Sequence, residues 1–135
     1  MNNYGDLEIT KTAQSPLEKW ENKNGKFLIF LEHPEFSALC PRSGYPDSGK
    51  IIVEYIPDKW VVELKDFKLY INSFRNERIS HEDVINTIAA RLFGELNPFS
   101  LRVIGDFMRR GGVKTVITVL KGEDYLFPLY NHSEL

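Results

Sequence analysis

The most constraining feature of the sequence is a long apolar stripe at helical spacing near the middle of the chain. Its members recur at intervals of three and four residues, so they lie on one face of a helix: Val84, Ile85, Ile88, Ala89, Leu92, Phe93 and Leu96. Ser80 and Asp83 form an S-x-x-D helix start, and Asn97 followed by Pro98 predicts the end. A helix of this kind must bury its stripe against a second apolar layer.

A shorter stripe precedes it. Phe67, Tyr70, Ile71 and Phe74 follow the spacing i, i+3, i+4, i+7, which predicts a helix over Asp66 to Asn76 with Asp66 as its N-cap. Runs rich in β-branched and aromatic residues flank the two helices and predict four strands: Lys26 to Glu32, Lys50 to Ile56, Ser100 to Met108, and Val113 to Leu120.

The predicted order is therefore β-β-α-α-β-β. Gly111 and Gly112 suit a hairpin connection between the last two strands. This order indicates an α+β fold, an antiparallel four-stranded sheet with two helices on one face. The other face needs a cover, because two of the strands are apolar on both sides; either it is polar or a neighbouring subunit packs there.

Length and composition favour one ordinary globular domain. The 135 residues carry a formal net charge of −2, which gives no overall attraction for nucleic acid. We predict an N-terminal arm over residues 1–24, with a short helix around Leu17 to Trp20, and a single domain over residues 25–135. The N-terminal sequence lacks a signal peptide, and no run approaches the roughly 20 apolar residues of a membrane span. A single cysteine excludes an internal disulfide and fits a cytoplasmic protein.

Residues 33–49, between the first two strands, contain that cysteine. The segment HPEFSALCPRSGYPDSG has three prolines and two glycines, and predicts a long irregular loop rather than a tight hairpin. Cys40 is a candidate nucleophile if a neighbouring cation such as Arg42, or the dipoles of loop amides, lowers its pKa from about 8.5; alternatively it is a small buried apolar residue. Asp47 is a candidate proton shuttle if it is buried, or an ordinary turn residue.

Several motifs in register resemble one enzyme family. The run PEFSALCPRSGYPD is similar to the cysteine segment of the 7-cyano-7-deazaguanine reductases, P-E-F-x-x-L-C-P-x-[TS]-G-x-P-D. ELKDFKLY, from Glu63 to Tyr70, resembles that family's E-x-K-x-x-K-x-Y signature, and SFRN, HED and RGG follow in the same order. The resemblance extends from about Phe27 to Val119.

This resemblance implies the tunnelling fold of the GTP cyclohydrolase-like superfamily. Subunits of that family join their sheets into rings, commonly two stacked pentamers, with active sites at subunit boundaries. It further implies a single-module, NADPH-dependent enzyme that reduces the nitrile of 7-cyano-7-deazaguanine to a primary amine in tRNA queuosine biosynthesis. Cys40 would form a covalent thioimide with the nitrile, Asp47 would supply the proton, and His81 would assist.

The resemblance also assigns the binding residues. The two carboxylate oxygens of Glu82 would accept hydrogen bonds from the ring N–H and the exocyclic amine of the guanine-like edge. The alternative is that Glu82 stabilises the helix N-terminus. Ser73 and Glu63 would contact the same substrate. For NADPH, Lys65 and Lys68 near a helix N-terminus and Arg110 beside two glycines are the phosphate candidates.

Two features depart from familiar patterns. The sequence contains no Gly-rich dinucleotide fingerprint, so NADPH binding would be of a non-Rossmann kind. Many family members also carry an aromatic residue immediately before the HED motif, whereas this chain has Ser80. If that ring normally stacks on the base, another side chain must do so here.

Three alternatives remain open from the sequence. A cyclohydrolase of the same fold would use zinc, for which Cys40, His33, His81 and His132 are conceivable ligands, although we predict no metal. A non-catalytic purine- or pterin-binding module would need neither Cys40 nor Asp47. A cysteine hydrolase would form the same thioimide but add water, and so release an acid instead of an amine.

Overall fold

The computed structural model describes residues 15–135. Six strands and two helices follow one another along this part of the chain: β1 (Lys19–Glu21), β2 (Ile29–Leu39), β3 (Pro46–Ile56), β4 (Trp60–Val62), α1 (Leu64–Asn72), α2 (His81–Leu96), β5 (Ser100–Phe107) and β6 (Val116–Gly122). The four long strands form one sheet in the order β2-β3-β5-β6, with every neighbouring pair antiparallel. The predicted β-β-α-α-β-β core is confirmed. Neither helix is long and apolar enough to cross a membrane.

The hydrophobic core lies between the two helices and one face of this sheet. Alternate residues of the central strands point into it, such as Val53 of β3 and its partner Val103 of β5. The buried positions of the helices are those of the predicted stripes: Phe67, Tyr70 and Ile71 of α1, and Val84, Ile85, Ile88, Ala89, Leu92 and Leu96 of α2. Because burial of one large aliphatic side chain contributes roughly 1.5–3 kcal/mol, these stripes hold the helices on the sheet.

The ends of α2 agree with the sequence, whereas those of α1 do not. The Ser80 hydroxyl accepts a hydrogen bond from the Asp83 N–H at 3.0 Å, and Asn97 ends the helix with a φ of 47°. In α1 the N-cap is Glu63 and not Asp66, because the Glu63 carboxylate accepts hydrogen bonds from the N–H groups of Lys65 and Asp66. The helix therefore begins before the predicted start at Asp66 and ends at Asn72.

The prediction of a long loop over residues 33–49 is wrong. Strands β2 and β3 extend through most of it and pair as far as Leu39 and Pro46, which leaves residues 40–45 as the connection. Two of the three prolines lie within the paired strands, at positions where the ladder tolerates them. Pro34 lies where the register shifts between His33 and Phe36, and Pro46 is the first residue of its strand, two positions at which a missing N–H is tolerated.

The N-terminal prediction is also corrected. Residues Lys19–Glu21 form a strand paired with β4, not a helix around Leu17 to Trp20. Leu17 itself is buried, and its N–H donates to the Glu95 carboxylate of α2 at 2.7 Å. The predicted arm thus contacts the domain from residue 15 onward, while residues 1–14 of that arm lie outside the described residues.

Residues 123–135, the C-terminal segment, cover part of the sheet face that points away from the helices. Arg102 of β5 pairs with Glu54 of β3 at 2.7 Å and donates to the Pro128 carbonyl at 2.7 Å. Asp106 accepts hydrogen bonds from the Tyr130 hydroxyl, the Ser133 N–H and the Lys114 ammonium group. The sequence suggested a polar surface or a neighbouring subunit, and the chain's own C-terminal segment provides part of the cover.

Candidate active site

The site is built around the connection between β2 and β3. Cys40 is its first residue and is partly exposed. Two backbone hydrogen bonds close the connection, from the Cys40 N–H to the Tyr45 carbonyl at 2.8 Å and from the Gly44 N–H to the Cys40 carbonyl at 2.9 Å. Gly44 has a φ of 76°, a conformation that favours glycine. The turn therefore presents the thiol at the tip of a rigid hairpin.

The surroundings of Cys40 favour the thiolate. A hydrogen bond from the Ser43 side chain, followed by the N–H groups of Ser43 and Arg42, lowers the pKa of Cys40 to about 7. The Ser43 hydroxyl in turn accepts a hydrogen bond from the Tyr45 N–H at 3.2 Å. The sequence pointed to a cation such as Arg42 or to loop amides as the activating groups; the amides do contribute, Arg42 acts through its N–H group, and the Ser43 side chain was not predicted. The signal was available, since Ser43 occupies the [TS] position of the family motif.

The connection between α1 and α2 is bonded to β2 directly before the nucleophile. The Leu39 N–H donates to the Glu77 carbonyl at 2.9 Å, and the Ile79 N–H donates to the Leu39 carbonyl at 3.0 Å. The Arg78 guanidinium lies over the cysteine turn, so that a β-carbon added at Gly44 would be 2.6 Å from its Nη2 atom. These contacts hold the start of α2 against the hairpin.

Asp47, the second residue of β3, is 6% exposed and pairs with Ala38 across the hairpin. Its Oδ1 atom contacts the Nη1 atom of Arg110, and its Oδ2 atom is 3.5 Å from the Nε2 atom of His81. The negative charge of Asp47 also acts on Cys40, whose pKa it raises in opposition to the larger lowering contributions. The structure thus brings together Cys40, Asp47, His81 and Arg110.

The His81 ring is fixed by stacking. As the first residue of α2 it lies on Phe107 of β5, with ring centroids 4.0 Å apart and planes inclined by 22°. Its Nε2 atom is buried and makes no hydrogen bond within the described part of the chain. A buried nitrogen without such a partner, aimed at a carboxylate, is suited to passing a proton when a ligand arrives. Phe107 is a supporting residue that sequence analysis missed.

The three residues assigned to substrate lie in different positions. Glu82 follows His81 on the first turn of α2 and is exposed. Glu63 and Ser73 lie at the two ends of α1, where Glu63 caps the first turn and the Ser73 hydroxyl donates to the Tyr70 carbonyl at 2.6 Å. Of these three residues, Glu82 is adjacent in sequence to a member of the cluster, His81.

Comparison with known proteins places this chain in a family. A family model described as QueF-like protein matches residues 46–125. The NADPH-dependent 7-cyano-7-deazaguanine reductase of Aquifex aeolicus is 49% identical over 90% of this chain and 94% of that protein. This chain belongs to that family. The enzyme of the same name from Nitratiruptor is 52% identical over 86% of this chain and 90% of its own length.

A solved structure supports the same fold. The crystal structure of the archaeosine synthase QueF-Like in the apo form aligns with a TM-score of 0.67 at 26% identity, over 73% of this chain and 96% of that chain. The predicted α+β tunnelling fold is thereby confirmed.

One lysine of the family signature, Lys68, lines a cleft. Lys65 and Lys68 are exposed on α1, and a cleft of about 600 Å³ between β2 and α1 includes Lys68 and His33 in its lining. This volume lies in the range of small-molecule sites. Glu63 already accepts from the N–H groups of Lys65 and Asp66, so an anionic group here would be bound by lysine side chains and not by those two amides.

The ligands considered for a zinc site do not converge. Among residues 15–135, no group of three or more His, Cys, Asp or Glu side chains is arranged to hold a metal ion. His33 lies in β2, His81 at the start of α2 and His132 in the C-terminal segment.

Proposed function

We propose that this protein is an NADPH-dependent 7-cyano-7-deazaguanine reductase, which converts the nitrile of its substrate into the aminomethyl group of 7-aminomethyl-7-deazaguanine. The observation that carries the proposal is the convergence of a low-pKa cysteine, a buried aspartate and a stacked histidine at one hairpin, in a chain 49% identical to a relative of that name. A place in tRNA queuosine biosynthesis and a cytoplasmic location belong to the same proposal.

The first chemical step is addition of the thiol across the nitrile. The Sγ atom of Cys40 bonds to the nitrile carbon, one π bond between carbon and nitrogen breaks, and the nitrogen gains the proton that the thiol has lost. Asp47 would accept that proton and return it to nitrogen, and His81, whose Nε2 atom is 3.5 Å from the Oδ2 atom of Asp47, would assist. The product is a covalent thioimide, whose carbon accepts hydride more readily than the nitrile does.

NADPH, when bound, supplies the hydride, and two equivalents with two protons balance the reduction of nitrile to amine. Lys65 and Lys68 would hold its phosphates beside the cleft between β2 and α1. Arg110 is a third candidate, although its guanidinium lies on Asp47 in the subunit. The exposed carboxylate of Glu82 would accept hydrogen bonds from the guanine-like edge, with Ser73 and Glu63 as further substrate contacts.

The active form is proposed to be a homo-oligomer, with stacked pentameric rings as the expected arrangement. Strands β2 and β6 have unpaired outer edges within the described sheet, and such edges are suited to joining sheets between subunits. Leu126 and Leu129 are 94% and 89% exposed, an apolar surface that a neighbour would cover. Native mass spectrometry measures the subunit number directly, and a monomer at micromolar concentration would contradict this proposal.

The function is tested by mixing the protein with NADPH and 7-cyano-7-deazaguanine, following the loss of reduced nicotinamide absorbance and identifying the product. The wild type should consume two NADPH for each amine formed, and Cys40→Ala should consume none. Asp47→Asn should lower turnover by about 10²-fold or more, since general acid–base catalysis contributes roughly 10²–10⁴. An acid product would identify a hydrolase, and formate release from GTP with added zinc would identify a cyclohydrolase; either result would refute the reductase.

A further inference from the structure

The flat face of the substrate has no partner among the residues assigned so far. In the proposed reaction Cys40 bonds to the nitrile at one end of 7-cyano-7-deazaguanine, and Glu82 binds the guanine-like edge at the other end. Neither contact covers the face of the bicyclic ring between these two ends. Proteins commonly bind such a face by stacking an aromatic side chain on it.

The buried aromatic residues near the hairpin are already packed. Phe107 is 1% exposed, and its ring lies on the imidazole of His81 with centroids 4.0 Å apart. Phe36 and Phe74 are buried and pack on each other with centroids 6.4 Å apart. The residue before His81 is Ser80, which has no ring and whose hydroxyl caps α2. A base bound at this site must therefore stack on a side chain outside the core.

The backbone of the hairpin sets Tyr45 opposite Cys40. The Cys40 N–H donates to the Tyr45 carbonyl at 2.8 Å, and the Gly44 N–H donates to the Cys40 carbonyl at 2.9 Å. Since Gly44 has a φ of 76°, this is the pattern of a β-bulge in which glycine is the extra residue. Opposite residues of an antiparallel pair have their β-carbons about 4.5–5.5 Å apart on one face of the sheet. The Tyr45 side chain therefore begins beside the thiol.

This face of the hairpin is the one that carries the reacting groups. Asp47 pairs with Ala38 and approaches His81 with its carboxylate. Residues two apart along an extended strand lie on the same face, and Tyr45 and Cys40 are each two residues from one member of that pair. Tyr45 is 69% exposed, so its ring is open to a ligand.

We propose that Tyr45 is a specificity-determining residue, whose ring stacks on the face of the deazaguanine while Cys40 reacts with the nitrile and Glu82 holds the opposite edge. This inference rests on the proposed function and deepens it. The stack holds the base before and during the reaction, and it favours flat bicyclic nitriles over aliphatic ones.

The test measures binding without the covalent step. In a Cys40→Ala protein, which cannot form the thioimide, the dissociation constant for 7-cyano-7-deazaguanine is measured by isothermal titration calorimetry. The parent is compared with Tyr45→Phe, Tyr45→Leu and Tyr45→Val. Trp20→Leu is the matched control, because Trp20 is similarly exposed, at 65%, but lies in β1, which pairs with β4 beyond the far end of β3.

Tyr45→Leu and Tyr45→Val should raise the dissociation constant by about fivefold to a hundredfold, the amount that a base stacked on an aromatic ring typically contributes. Tyr45→Phe, which keeps the ring, and Trp20→Leu should bind as the parent does. With Cys40 present, the two non-aromatic variants should raise the KM for 7-cyano-7-deazaguanine and leave kcat nearly unchanged. The pH midpoint for alkylation of Cys40 by iodoacetamide should also stay in place.

Unchanged dissociation constants in both non-aromatic variants would overturn the inference. Equal weakening in Tyr45→Phe would overturn it too, because the contact would then be made by the phenol hydroxyl and not by the ring. A shifted alkylation midpoint in Tyr45→Leu and Tyr45→Val would attribute the loss to a rearranged turn and would likewise count against stacking. A wild type that consumes no NADPH with this substrate would instead refute the reductase itself.

Discussion

Removing the hydroxyl of Ser43 should raise the pKa of the nucleophile. The Ser43 side-chain hydrogen bond is the largest of the contributions that bring the pKa of Cys40 to about 7. In Ser43→Ala we expect this pKa to rise to about 8, because the N–H groups of residues 42 and 43 still stabilise the thiolate. At pH 7 the thiolate fraction then falls about fivefold, from about one half to about one tenth.

A single alkylation rate would understate this change. A thiolate of higher pKa is intrinsically more nucleophilic, by about threefold for a rise of this size, so the observed rate at pH 7 falls only about twofold. The midpoint of the pH profile is therefore the quantity to measure, with iodoacetamide as the reagent and intact mass as the readout. Ser43→Thr, which keeps the hydroxyl, is the matched control.

The result that would refute this reasoning is a Ser43→Ala profile with the wild-type midpoint. It would mean that the backbone N–H groups alone set the reactivity of Cys40. A midpoint that moved equally in Ser43→Thr would also count against the hydroxyl, because it would indicate a rearranged turn.

The remaining predictions concern stability and are measured by urea unfolding. Burial raises the pKa of Asp106, but hydrogen bonds from Lys114 and the C-terminal segment outweigh burial and hold it below its ordinary value. The stability it contributes is therefore present above about pH 4 and is lost as the pH falls through the lower folded-state pKa. Asp106→Asn should lower the free energy of unfolding by about 3 kcal/mol at pH 7 and make it less dependent on pH in the acidic range. A variant whose stability fell as steeply with acid as that of the wild type would contradict this prediction. Gly105→Ala should lower the free energy of unfolding by about 1–3 kcal/mol, because the added β-carbon would lie 2.5 Å from Ile85. Gly94→Ala, where the added β-carbon would have no atom within 4 Å, should instead raise the free energy of unfolding by about 0.5–1 kcal/mol. Equal effects of the two substitutions would contradict the packing argument.

Local patterns in the sequence were sufficient to predict the helices. The stripe from Val84 to Leu96 and the caps at Ser80 and Asn97 are properties of neighbouring residues, and the structure reproduces them. The extended hairpin was not predictable in this way, because Pro34 and Pro46 indicate a loop when read locally. Their acceptance depends on pairing across the sheet: one lies at a register shift and the other at a strand start.

The residues of the candidate site also differ in how far the sequence could predict them. Cys40, Asp47 and His81 were identifiable because they stand in motifs that resemble a family, and the structure brings them together. Ser43, which lowers the pKa of Cys40, is its close neighbour in the chain, but the residues that contact His81 and Asp47 come from distant parts of the chain. Phe107 supports the imidazole from β5, and Arg110 reaches Asp47 across 63 positions of sequence, a separation that no local pattern bridges.

The two hydrogen bonds between Leu39 and the segment before α2 have a consequence for motion at the site. They join Leu39 to Glu77 and to Ile79, so an opening that separates this segment and the start of α2 from the hairpin must break both bonds together. The amides of Leu39 and Ile79 should therefore exchange their hydrogens with solvent at matching rates, as one cooperative unit. Their shared protection from exchange would report how often the site opens, and it can be measured without substrate or turnover.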